Sequence, residues 1–274
     1  MNNGFCIADT REKIRAHISS VASLRGRHHI RQSATPSWAN KVAGWTRNVS
    51  AKKEAVRIVT PDHFSIAGNF FYDDSNRNVP QPCVVLVHHF RRDKEQWGQF
   101  PEDLVADGFK VLAYDIRGHG KSDNVRDVTS LLSDPQQAPF DFDGALEWLE
   151  KRNDVNADRI GVIGTSIGAH IACEASAIYG DRVKAAVAVS PSLRGTLDFL
   201  EHKPGVHVMR SVLYVAAEGD GTHARDALDL SAKHTEEPKG VRIFNGLSDH
   251  GIDLINKMPE VKRFAVMWLK EHLK

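Results

Sequence analysis

Residues 159–172, RIGVIGTSIGAHIA, pass from β-branched apolar residues through Gly164-Thr165-Ser166-Ile167-Gly168 into small helix formers. A serine between two glycines, at the corner where a strand becomes a helix, is the arrangement that exposes a nucleophile. The sharp turn strains the serine backbone and lifts its hydroxyl above the sheet, and the flanking glycines keep side chains out of the crowded corner. Three letters out of five recur by chance in many chains, so the placement carries more information than the pattern. A serine hydroxyl remains a weak nucleophile until a base takes its proton and a third group orients that base. Downstream, LYVAAEGDGTH puts Asp220 just past an apolar strand-like run, and FNGLSDHGIDL puts His250 in the loop after the next one. Strand carboxyl ends are where sites assemble in parallel sheets. The chemistry these residues predict is acyl transfer through Ser166, with His250 as base and Asp220 as its orienting acid.

Other residues compete for these roles. His170 lies one helical turn past Ser166 and reads as a packing or surface residue, while His223 and His234 fall in the helix after Asp220 and read as facing solvent or the helix–sheet seam. Glu218 and Asp226 are alternative orienting acids, and Asp249, adjacent to His250, reads as pointing elsewhere. His88 and His89 suggest a metal pair, but adjacent residues on an extended strand point to opposite faces and no third ligand stands at fitting spacing. No metal and no cofactor are expected.

Positioning these groups requires a sheet. AVRIVT and FSIAGNFFY read as an opening hairpin, followed by apolar runs CVVLVHH, KVLAYDI, RIGVIGT, VKAAVAVS, SVLYVAA and GVRIFN. Between them, KEQWGQFPEDLVADG, DFDGALEWLEKR, IGAHIACEASAIYG, THARDALDLSAKH and PEVKRFAVMWLKEHL have helical character. Strands apolar on both faces, alternating with helices, predict a mostly parallel α/β sheet covered on each side. In the last helix Pro259 suits the first turn, and Val261, Phe264, Ala265, Trp268 and Leu269 form one apolar face.

With VLVHHFRRDKEQW, VLAYDIRGHGKSD, IGVIGTSIGAHIA, VAAEGD and SDHG in that order, residues 55–274 resemble the α/β-hydrolase superfamily, in particular its dienelactone-hydrolase-like serine esterases. The resemblance implies the α/β-hydrolase fold, a mostly parallel eight-stranded sheet flanked by helices, and the triad order Ser166, Asp220, His250. It also implies an oxyanion hole from the backbone N–H groups of Phe90 and Ile167, with His89 standing where the family commonly has glycine. DIRGHGKS, 115–122, corresponds to a structural loop. Arg91 and Arg92 beside the oxyanion loop are candidates to clamp a substrate carboxylate, or form a solvated loop face. Dienelactone hydrolases proper carry cysteine at the elbow, where this chain has Ser166. About twenty residues, from 191 to 210, separate the sixth and seventh strands, too few for a large cap domain.

The chain has 274 residues and 41% hydrophobic content, enough for one sizeable core. Its three cysteines, Cys6, Cys83 and Cys173, are too scattered for a disulfide framework and suit a reducing compartment. The net charge of +1 divides into +8 for residues 1–53 and −7 for the remainder. This separates a basic N-terminal extension, 1–53, from a catalytic domain, 54–274. Ile14, Ile18, Val21 and Leu24 recur at helical spacing in the extension, which reads as a surface helix or disordered tail, as an organellar presequence, or as a binder of anionic membranes or partners. No apolar run reaches the roughly 18 residues that cross a bilayer. A cytoplasmic location is expected, organellar if the extension is a presequence.

The expected function is a serine hydrolase cleaving small carboxylic esters, or thioesters, through an acyl-enzyme on Ser166. Its partner is a small-molecule ester, with no nucleic acid and no integral membrane segment, and the sequence leaves the oligomeric state open. An amidase, peptidase or acyltransferase on the same triad, and a catalytically silent binding protein with this fold, are the alternatives.

Overall fold

In the computed structural model, which describes residues 49–273, β1 (Ala51–Val59) and β2 (Ser65–Asp73) form the expected antiparallel hairpin, closed by a turn in which Phe64 N–H donates to Thr60 Oγ1. The sheet begins at Ala51, inside the segment assigned to the extension, because Ala51 and Lys52 still pair with Asp73 and Tyr72. The sequence-based expectations for residues 1–48 of the extension lie outside the described residues.

Six further strands follow: β3 (Gln81–Val87), β4 (Lys110–Tyr114), β5 (Val155–Thr165), β6 (Val183–Val189), β7 (Met209–Ala217) and β8 (Thr235–Phe244). They complete one eight-stranded sheet in the order β1-β2-β4-β3-β5-β6-β7-β8, parallel from β4 onward. The helices are α1 (Phe100–Ala106), α2 (Ala138–Glu150), α3 (Ile167–Ile178), α4 (Leu193–Phe199), α5 (His223–Lys233), α6 (Ile252–Lys257) and α7 (Pro259–His272). The period of two along the strands sorts the core into two layers. Val85, Val87, Leu112, Tyr114, Val162, Ala186 and Tyr214 pack under α2, α3 and α5, while Val84, Leu86, Val111, Ala113, Ile163 and Leu213 pack under α1, α6 and α7. Strands buried on both faces are the reason their sequences are almost uniformly apolar.

In α7, Val261, Ala265, Trp268 and Leu269 are buried as the spacing predicts, and the half-buried Phe264 meets Phe244 of β8 at a ring distance of 6.5 Å. The 190–208 connection holds only α4 and a short 3-10 turn (Leu200–His202), so no large cap is present. α6 was not legible in the sequence: it starts where Gly251 turns the chain at φ 55° and ends at Lys257, two residues before Pro259.

Candidate active site

Ser166 takes φ 54° and ψ −115°, a conformation that costs a non-glycine residue about 1–3 kcal/mol and persists only when its surroundings enforce it. They do so on both sides. Ser166 N–H donates to Val189 O of the neighbouring strand at 2.9 Å, and Ser166 C=O accepts from Ala169 and His170 as α3 begins. A Cβ at Gly164 would lie 1.8 Å from Gly168 O, and one at Gly168 would lie 2.2 Å from Val87 O. The two glycines are thus steric requirements of the turn. Ser166 is partly exposed, and its Oγ makes no hydrogen bond among the described residues.

The acid and the imidazole meet directly. His250 Nδ1 donates to Asp220 at 3.0 Å (Oδ1) and 2.9 Å (Oδ2), with the Asp220 side chain 9% exposed and that of His250 35%. This bond fixes the tautomer with the lone pair on Nε2. Burial raises the Asp220 carboxyl, but hydrogen bonds with His250 and Ser190 outweigh burial and hold it below its ordinary 3.8. Asp220 is positioned by the turn that leaves β7, where Glu218 and Gly219 N–H groups donate to Phe244 and Leu247 carbonyls. Gly251, next to His250, donates to Ser190 Oγ at 2.9 Å, and a Cβ there would stand 3.4 Å from Thr165 Cβ. The loop carrying His250 is therefore packed against the end of the strand carrying Ser166, although the described structure leaves the Ser166–His250 hydrogen bond unmade. Such contacts are often loose without substrate.

The competing groups have other partners. His170 is buried, its Nε2 accepts from Ser192 N–H at 3.1 Å, and burial pushes it down to about 3. Glu218 accepts from Gly246 N–H, Asp226 from Thr222 and Asp249 from Lys257. The pair expected on an extended strand, His88 and His89, lies just past the end of β3. His88 is buried and pushed down to about 3 by desolvation, and it braces the loop: its Nε2 accepts from Ile116 N–H and its Nδ1 donates to His89 O. His89 Nε2 accepts from Arg92 Nε at 3.3 Å, which leaves Nδ1–H buried without an acceptor, 6.1 Å between its ring and that of His250.

Phe90 and Ile167 occupy the expected loop and helix start, and neither N–H donates to another group among the described residues. The loop after β3 is anchored by the segment read as structural: Arg91 N–H donates to His119 Nε2 at 3.0 Å, and Lys94 is held by Asp115 through its N–H and its Nζ. Arg117 ties the same segment to Asp141 and Asp62. Arg91 and Arg92 are both exposed, with Arg91 over the Phe90 ring and Arg92 Nε donating to His89 Nε2.

Sequence reasoning misplaced His223. Its ring lies 4.7 Å from that of His250, and its Nδ1 bonds Pro191 O at 3.0 Å. The available signal was its position three residues after Asp220, at the start of a helix leaving a strand's carboxyl end; His223 N–H bonds Asp220 O. Ser190, at φ 55°, was likewise missed, since neither its type nor its spacing marks it. Asp220, His223 and His250 each offer a ligand atom within 4.8 Å of the others, a grouping created by the fold and invisible as spacing.

The serine aminopeptidase S33 profile matches residues 78–237, more than half of the chain. The chain belongs to that family of α/β hydrolases. Among similar proteins, protein PA2218 of Pseudomonas aeruginosa is 28% identical over 173 residues, covering 62% of this chain and 44% of that protein. The chain spans less than half the length of the curated relatives it matches. Among solved structures, the Pyrococcus furiosus esterase Pf2001 aligns with a TM-score of 0.63 at 20% identity, covering 85% of this chain and 98% of that one. A dienelactone hydrolase from Anabaena variabilis aligns with a TM-score of 0.65 at 17% identity, covering 82% and 99%. At these identities the structural likeness is one of fold. The S33 profile ends at residue 237, so His250 falls outside the matched segment.

Proposed function

We propose that this S33-family protein is a serine hydrolase cleaving small carboxylic esters or thioesters through an acyl-enzyme on Ser166. The observation that carries the reading is the strained elbow at Ser166 together with the Asp220–His250 pair on the adjoining strand ends. In the reaction His250 Nε2 takes the Ser166 proton as Oγ attacks the carbonyl carbon. Asp220 stabilises the imidazolium, and the Phe90 and Ile167 N–H groups receive the negative charge that develops on the carbonyl oxygen. His250 then protonates the leaving alcohol or thiol, takes a proton from the water that attacks the acyl carbon, and returns a proton to Ser166 Oγ as the acid leaves.

The decisive experiment is covalent labelling by a fluorophosphonate probe alongside p-nitrophenyl acetate hydrolysis. Labelling of the parent chain and its loss in a folded Ser166→Ala variant are expected. A folded parent that neither labels nor turns over would favour the silent binding protein. The name of the matched family favours a second reading, amide cleavage next to a free amino terminus on the same residues. Faster turnover of an aminoacyl p-nitroanilide than of p-nitrophenyl acetate would select it.

A further inference from the structure

His223 has no part in the acyl-transfer scheme, yet it stands against both members of the acid–base pair. Its Nδ1 lies 3.0 Å from Pro191 O, and a carbonyl can only accept, so Nδ1 carries the proton and Nε2 keeps its lone pair. An imidazole whose second nitrogen is tied to a backbone carbonyl is the usual support of a metal-binding histidine, because the bond fixes both tautomer and ring orientation. Beside it are the His250 imidazole, at a ring distance of 4.7 Å, and the Asp220 carboxylate. One ligand atom from each of the three lies within 4.8 Å of the others. Tetrahedral zinc, with bonds of about 2.0–2.2 Å, asks for ligand atoms roughly 3.3 Å apart, a distance that small rotations of partly exposed imidazoles can reach. Two imidazoles and one carboxylate suit zinc rather than magnesium or calcium, which prefer all-oxygen sets.

We propose that Asp220, His223 and His250 form an inhibitory zinc site laid over the acid–base pair. The inference rests on the proposed triad for its consequence and on geometry alone for the binding. Zinc adds through lone pairs, and neutral His250 has a single nitrogen bearing one. If the ion takes Nε2, the lone pair that would accept the Ser166 proton is occupied. If it takes Nδ1, the proton moves to Nε2 and that nitrogen can no longer accept. Either bond, together with coordination of Asp220, stops general-base catalysis without altering a covalent bond. Removal of the ion restores it.

The test uses the full chain. Zinc chloride is titrated against ester hydrolysis, with magnesium chloride as control and EDTA as reversal, and zinc binding is measured separately by calorimetry on the parent, Ser166→Ala, His223→Gln and Asp220→Asn chains. The expected result is a fall in turnover of about tenfold or more, reversed by EDTA and absent with magnesium. Ser166→Ala should keep the parent stoichiometry, while His223→Gln and Asp220→Asn each lose one zinc equivalent. The half-inhibiting zinc concentration for His223→Gln, scaled to its own metal-free rate, should rise about tenfold or more. Equal zinc binding and equal inhibition in parent and folded His223→Gln would overturn the site, as would equal inhibition by magnesium. Zinc binding that depends on His223 in a chain that hydrolyses no ester would sink the hydrolase reading and leave the site standing. Hydrolysis without zinc binding would sink the site alone.

Discussion

At the scale of single residues, the proposed mechanism makes Ser166 and His250 one unit, because in it the hydroxyl has no nucleophilicity without the base and the base has no proton to move without the hydroxyl. Ser166→Ala and His250→Ala should therefore each lower kcat by about 10⁴-fold or more, with folding preserved, and the double variant should be little worse than either. Near-parent turnover in either folded single variant would refute the triad. Asp220→Asn keeps the shape of the side chain but removes the charge that stabilises the imidazolium and selects the Nδ1–H tautomer, so turnover should fall by about 10⁴-fold. Glu218→Gln is the control, since Glu218 is exposed and bonds only the Gly246 N–H across its own loop. It should leave turnover close to the parent's. If Glu218→Gln proves the damaging change, the orienting acid is two residues upstream of the one assigned.

At the scale of elements, the strands, the elbow helix and the last helix could be read from the sequence because each signal is local. Alternating or continuous apolar runs, two glycines around a serine, and Pro259 before an amphipathic stretch need no distant information. His223 and Ser190 could not be read in that way. Each earns its place only when β6 and β7 lie side by side and bring residues 190–192, 220–223 and 250–251 to one corner. β1 ran past its expected start because pairing with β2 recruits Ala51 and Lys52, whatever their own strand preference. The short connection between β6 and β7 has a consequence for substrate size. Without a cap, the open cleft between α4 and α5 offers an acyl chain Leu193, Leu197 and Thr222 but also Arg194, Asp198, Arg225 and Asp226. Two leucines among four charged residues can bury little of a long chain, and each methylene left in water forgoes about 0.8 kcal/mol. kcat/KM for p-nitrophenyl esters should peak between acetate and butyrate and drop by octanoate. A profile rising through dodecanoate would reveal an apolar groove elsewhere.

At the scale of the whole molecule, the described residues 49–273 supply two core layers and an eight-stranded sheet, with Val49 and Ala51 packing onto the second layer. A chain starting at Val49 should fold and retain ester hydrolysis, and loss of soluble protein on this truncation would show that residues 1–48 stabilise the body. Stability against pH should be limited from both sides. Burial pushes His88 and His170 down to about 3, so in the folded chain they resist protons that the unfolded chain takes up below about 6.5. Their contribution is full above 6.5 and is lost as pH falls toward 3. Glu174 acts in the opposite direction. It is fully buried in α3, both carboxylate oxygens lack partners among the described residues, and burial, then the nearby Asp143, raises its carboxyl well above the ordinary 4.5. The folded chain holds this proton while the unfolded chain releases it, so the Glu174 contribution is full below 4.5 and declines as pH rises toward its folded value. Glu174→Gln keeps the shape and has no proton to lose. Its melting temperature should match the parent's near pH 4 and exceed it near pH 8 by at least 2–4 °C, roughly what 1 kcal/mol is worth in a domain of this size. A constant difference between the two chains across that range would mean that Glu174 titrates alike in the folded and unfolded states, and that its buried carboxyl finds a charge-stabilising partner.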